Sequence, residues 1–76
     1  MIADKVFTVF KDVLSVPEGE DKAKLIYNEY NGWDSIAHMT LIAALEDEFD
    51  EMLETDDIFD MSSFDKAVEI MEKYYA

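Results

Sequence analysis

Cysteine is absent from the 76 residues, which removes both a disulfide framework and a thiolate metal site and leaves apolar burial to hold the fold. That absence fits the cytoplasm, the expected location. Basic residues are scarce, six against nineteen acidic ones, for a formal charge of -13. A field of this sign repels phosphate backbones and anionic lipid, so nucleic acid is not an expected partner. It favours protein surfaces rich in Lys or Arg instead. There is no basic n-region leading into an apolar run, and no apolar stretch long enough to span a bilayer, so neither secretion nor membrane insertion is expected. Internal repeats and low-complexity tracts are also lacking.

What is present is hydrophobic content: half of the residues, too many for a disordered tail. The length suits one domain, 1–76, expected to fold as a monomer with a small and marginal core. Four apolar patterns have helical spacing. In the first, Ile2, Val6, Val9, Phe10, Val13 and Leu14 share a face opposite Asp4, Lys5, Lys11 and Asp12. Val16-Pro17 ends it, because the residue before proline disfavours helix. A long connection follows to about Asp34, with Leu25, Ile26, Tyr27, Tyr30 and Trp33 as apolar anchors whose polar tips stay near water.

The second pattern opens at Asp34 or Ser35 and runs to Phe49 or Asp50, with Ile36, Met39, Ile42, Leu45 and Phe49 facing inward, supplemented by Leu41 and Ala44. Its end is acidic on the outside, at Glu46, Asp47, Glu48, Asp50 and Glu51. Carboxylates there face the negative end of the helix dipole, a placement that points to a solvated acidic face or to a surface for basic partners. A two-turn third helix has Thr55 as cap and Ile58, Phe59 and Met61 as its apolar side. In the fourth, capped by Ser62 or Ser63, Phe64, Ala67, Val68, Met71, Tyr74 and Tyr75 form the buried stripe. Nothing alternates with strand period. The expected fold is all-α, a small bundle of three longer helices plus one short helix.

Most chemical constellations fail. Asp34, Ser35 and His38 do not make a catalytic triad, because such near neighbours on a helix point in different directions and no oxyanion loop accompanies them. One histidine without cysteine, and acidic runs without the order of a calcium loop, give no structured metal site. Phosphate-binding and dinucleotide glycine motifs are missing. The chain is expected to catalyse nothing by itself.

Asp34-Ser35-Ile36, followed by "HMTLIAALEDEFD", resembles the Asp-Ser-Leu attachment site of acyl carrier proteins and related phosphopantetheine-dependent carriers. The resemblance extends over nearly the whole chain, through the long first connection, the short third helix and a fourth helix beginning near Ser-Ser-Phe. It implies an acyl-carrier-like fold. It also implies that a phosphopantetheinyl transferase moves phosphopantetheine from coenzyme A onto Ser35, with Asp34 in support, so that acyl or aminoacyl groups travel as thioesters between partner enzymes. A serine at a helix start suits that role, being displayed beside free backbone N–H groups at the positive end of the dipole. Either residue is able to cap the helix; Asp34 is expected to do so and leave Ser35 available.

Where fatty-acid carriers often have acidic residues early in the second helix, this chain has Ala37, His38 and Thr40. "WDSIAHM" looks more like stand-alone carriers of specialised pathways, loaded by an adenylating ligase, than like carriers of ordinary fatty-acid synthesis, and the resemblance leaves fatty-acid, polyketide and specialised biosynthesis all open. The partner-facing residues are then Ile36, His38, Met39, Glu46, Asp47 and Glu48, with His38 an exposed helix residue. Met39, Met52, Met61 and Met71 are read as core filling, with sheltering of cargo the lesser alternative. The competing function is an unmodified acidic helical adaptor that binds basic protein surfaces.

Overall fold

The computed structural model describes residues 1–75. As the periodicity predicts, four α-helices form: α1 (Ile2–Leu14), α2 (Ser35–Phe49), α3 (Thr55–Asp60) and α4 (Phe64–Tyr75). No strand occurs among the described residues beyond one isolated antiparallel bridge, Ile26 to Ser63. None of the helices is long and apolar enough to cross a membrane.

Local chemistry fixes the ends of these elements. The last turn of α1 closes on Ser15 in the left-handed region, at φ 56°, and Val16 then turns inward ahead of Pro17. Asp50, at φ 54°, ends α2 in the same way and donates its N–H to the Glu46 carbonyl, the αL stop that leaves few carbonyls unpaired. Ser63, not Ser62, caps α4, with its Oγ accepting the Lys66 N–H at 3.0 Å. Thr55 does not cap α3. The cap position belongs to Glu54, whose side chain makes no capping bond, and Thr55 is the first helical residue.

The core is built around Phe10, which is fully buried and meets Trp33 edge-on at 5.1 Å and Phe64 at 5.3 Å. It therefore joins α1, the connection and α4 in one aromatic cluster, a favoured geometry for ring quadrupoles. Leu41 and Leu45 of α2, and Ala67 and Met71 of α4, complete the interior. Phe7 and Ile70 also belong to it, although neither stood on the stripes read from sequence. Tyr75, counted on the α4 stripe, is 53% exposed. It sits edge-on to Phe49 with the Lys5 ammonium nearby.

The connection is neither a helix nor a slack loop. A single 3₁₀ turn at Lys22–Lys24, capped by Asp21, delivers Leu25 into the core. Tyr27 N–H then donates to the Ser62 carbonyl and Phe64 N–H to the Leu25 carbonyl, both at 2.9 Å. These two bonds pin the connection to the start of α4. The final turn uses Asn28 at φ 66° and Gly32 at φ 93°, the latter a conformation that L side chains avoid. That turn places Trp33 inside immediately before α2 begins.

Candidate functional site

Asp34 and Ser35 sit where this turn meets α2. Asp34 has extended backbone, and its Oδ1 accepts the Ala37 N–H at 2.9 Å, the N-cap geometry that satisfies one orphan donor of the first turn. Ser35, the first helical residue, is exposed. Its Oγ takes part in no hydrogen bond among the described residues. The two oxygens thus divide the labour: one carboxylate caps, and one hydroxyl is displayed beside the N-terminal end of the dipole.

The surface around Ser35 is apolar rather than acidic. Ile36 is 80% exposed and Met39 58% exposed, so neither belongs to the inward stripe. The buried face of α2 is Leu41, Ile42, Leu45 and Phe49. This correction follows from packing: α1 is packed against α2, the buried side chains of α2 begin at Leu41, and the first turn stays in water. Facing it from α3 is Phe59, 79% exposed. The expectation that Phe59 is buried fails because a six-residue helix has room for one buried side, and Asp57 occupies it. Met52, 80% exposed, is likewise not core, whereas Met61 and Met71 are.

His38 departs furthest from expectation. Instead of standing exposed it is half-buried, nearly coplanar with the Trp33 indole at 22° between planes and 6.0 Å between centroids, so that the two rings meet edge to edge, and it is edge-on to Tyr27 at 5.2 Å. Trp33 Nε1–H donates to His38 Nδ1 at 3.0 Å, so the indole N–H, expected near water, is satisfied inside. The other nitrogen, Nε2, lies 2.8 Å from the Ile58 carbonyl. An indole only donates and a carbonyl only accepts, so the ring is neutral with its hydrogen on Nε2. His38 is therefore occupied internally while still bordering the hollow beside Ser35.

A hollow of about 200 Å³ borders Ser35, walled by Tyr27, His38, Met39, Ile58, Phe59 and Met61. Apart from Met39, Met61 and the alternative role given to His38, the sequence did not single these residues out for the site; a hollow between a helix start and a later short helix has no signature in spacing. A second hollow, about 240 Å³, lies between α3 and α4 and is lined by charges. Those charges are largely paired with one another: Lys73 Nζ donates to Asp57 Oδ1 at 2.7 Å and Lys66 Nζ to Glu69 Oε1 at 3.3 Å. Tyr74 Oη also donates to Asp57, at Oδ2. The Lys73 and Tyr74 hydrogen bonds hold the Asp57 carboxyl below the usual carboxylate range, and the same bonds raise Lys73 and Tyr74 above their ordinary values. Asp57 fastens α3 to α4; it is not a ligand site.

The acidic end of α2 divides as well. Glu46 is half-buried, and its Oε2 accepts the Leu53 N–H at 2.9 Å, clamping the α2–α3 link. That structural duty explains a carboxylate at the unfavourable end of the dipole. Asp47 and Glu48 remain exposed; Lys5 reaches Glu48 only at 4.0 Å with both side chains largely in water, a contact of little energetic weight. All six basic residues are lysines, and none lies between Lys24 and Lys66. No group of three or more metal-ligating side chains converges among the described residues.

Compared with known proteins, residues 4–70 match a family model described as "Phosphopantetheine attachment site". No curated protein and no solved structure matches the chain.

Proposed function

Because the chain belongs to the phosphopantetheine attachment family, whose members are non-catalytic carriers modified by a phosphopantetheinyl transferase, we propose that Ser35 is the residue modified and Asp34 the cap that presents it. The observation that carries this reading is the exposed, unengaged Ser35 hydroxyl at the first position of α2, with the capping bond made by Asp34 instead. The fit to the group is good in two respects. A phosphodiester at this position would lie beside the free N–H groups of the first turn, and the Ser35 side chain is exposed and open to the transferase.

On modification the Ser35 Oγ attacks the β-phosphorus of coenzyme A. The new O–P ester forms as the anhydride bond to adenosine 3',5'-bisphosphate breaks, and the serine proton passes to a base on the transferase. A serine hydroxyl is a weak nucleophile, so activation comes from the transferase and its metal ion. When bound, phosphopantetheine supplies a terminal thiol that carries cargo as a thioester. The residues of this chain contribute position and recognition.

Cargo is proposed to be an acyl or aminoacyl group charged by an adenylating ligase in a specialised pathway. Supporting this are Ala37, His38 and Thr40 early in α2, where carriers of fatty-acid synthesis often have acidic residues, together with the exposed apolar side chains of Ile36 and Met39 from α2 and Phe59 from α3. Asp47 and Glu48 stand twelve and thirteen residues further along α2, about 18 Å from Ser35 at the rise of an α-helix. A partner surface suited to this face has an apolar rim at its active-site mouth and a basic patch roughly that far away. The adaptor reading gives way to the carrier, which family membership supports directly.

The test is intact-mass analysis of the chain after incubation with coenzyme A and a carrier-protein transferase, followed by fragmentation to locate the group. One phosphopantetheinyl addition on Ser35 is expected. Addition to another side chain, or none with several transferases, overturns the assignment.

A further inference from the structure

Two polar ties hold the short helix α3, which buries little of itself. On one side Asp57 accepts from Lys73 and Tyr74 of α4. On the other, the Ile58 carbonyl accepts from His38 Nε2–H, and His38 is the one side chain of α2 that hydrogen-bonds to α3 among the described residues. The same imidazole accepts the indole N–H of Trp33, which is 1% exposed and has no access to water as a substitute partner. The three groups form a chain, from the connection through α2 to α3, along the wall of the hollow beside Ser35.

We infer that His38 is a proton-sensitive clasp: neutral, it bridges Trp33 to α3 and fixes the walls of the hollow beside Ser35; protonated, it releases both and lets α3 move away. A second proton on Nδ1 sets two donors head to head, N–H against N–H, in a half-buried pair of rings. Leaving both unpaired there is costly, and water outside offers the imidazolium better hydration. The ring leaves the edge of Trp33, and the Ile58 carbonyl loses its donor with it. Since Phe59 follows Ile58 directly, the apolar wall that α3 presents opposite Ile36 and Met39 shifts at the same time.

The surroundings of His38 allow a clean reading of such a switch. On its own helix the nearest ionisable group is Asp34, engaged by the Ala37 N–H. From the connection Tyr27 presents its ring, and Ser62 and Met61 follow α3 without charge. The α3 carboxylates are Asp56, which is exposed, Asp57, which turns to α4, and Asp60, which is exposed. No lysine borders the hollow.

The chain contains one histidine and one tryptophan, so NMR reports each end of the clasp as a single signal. On unmodified protein titrated between about pH 8 and pH 5, the range in which imidazoles change charge, the Trp33 indole N–H resonance is expected to shift with the same midpoint as the His38 imidazole. The protection factors of the Ile58, Phe59 and Asp60 amides, taken relative to the intrinsic exchange rate at each pH, are expected to fall about tenfold on the acid side, the loss of one ordinary hydrogen bond. His38→Gln keeps one acceptor and one donor without a titrating proton, and should abolish that midpoint; Asp57→Asn, at the other tie, should retain it. The inference fails if the wild-type α3 amides keep their protection through the imidazole titration, or if His38→Gln loosens at the same midpoint. The measurement needs no modification of Ser35, so its failure leaves the carrier assignment untouched.

Discussion

Replacing Ser35 and Asp34 separately tests whether adjacent residues at one helix start have different duties. Ser35→Ala removes a hydroxyl that makes no hydrogen bond among the described residues and is exposed. Alanine is the better helix former by a few tenths of a kcal/mol, so stability should be unchanged or raised by up to about 0.5 kcal/mol. Asp34→Ala removes the Oδ1 that accepts the Ala37 N–H at 2.9 Å, a loss typically worth about 1 kcal/mol. In a domain of this size that lowers Tm by about 4–8 °C. Chemical denaturation followed by circular dichroism measures both variants, and intact mass after incubation with coenzyme A and transferase reads the modification. The expected pattern is a crossed one: Ser35→Ala folds normally and gains no mass, whereas Asp34→Ala is destabilised and still has its acceptor hydroxyl. Destabilisation of Ser35→Ala equal to that of Asp34→Ala would refute the division, as would a mass gain in the alanine variant.

Phe10→Ala should cost about 3–5 kcal/mol, since the ring joins three elements and its removal leaves a hole between Trp33 and Phe64; urea titration checks this, and a loss under 1 kcal/mol would contradict the central role given to that ring. The Asp57 tie contributes to both limbs of the stability-against-pH curve. Its lowered carboxyl contributes fully above the ordinary carboxylate value and is lost as pH falls through the folded value, while the raised Lys73 and Tyr74 contribute below about pH 10 and are lost as pH rises through theirs. Denaturation midpoints of Asp57→Asn measured across pH should therefore show shallower limbs at both ends than wild type. Added salt should raise Tm, because a charge of -13 on 76 residues repels itself in the compact state and screening relieves that; a flat salt titration would show that the repulsion is already relieved elsewhere.

How far the sequence reading reached depended on the kind of contact involved. Helix number, order and ends were legible because they follow from local chemistry: spacing of apolar residues, Pro17 after Val16, a cap at Asp34. Trp33 as an anchor of the connection was legible too, since a large aromatic beside a glycine turn has few other uses. Which residues of α2 point inward was only half legible. Ile36 and Met39 fit the same stripe as Ile42 and Leu45, and only the packing of α2 against the rest of the bundle leaves the first pair in water. His38 was misread as exposed because its partners, Trp33 and the Ile58 carbonyl, come from other elements. Glu46 was misread as a surface charge because its acceptor duty is to Leu53, beyond the end of its own helix.

By itself, then, the order of amino acids determined that the chain is helical and acidic, and that a serine follows a capping aspartate at the start of the second helix. These are properties of neighbours within a turn or two, where backbone geometry and side-chain chemistry act without help. Tertiary packing alone decided that α3 is tied through Asp57 and His38, that the histidine is held neutral between a donor and an acceptor, and that a hollow opens beside Ser35. Hydrogen bonds between groups twenty residues apart, such as His38 to Ile58, exist only once the helices have docked, because no local rule brings their ends together.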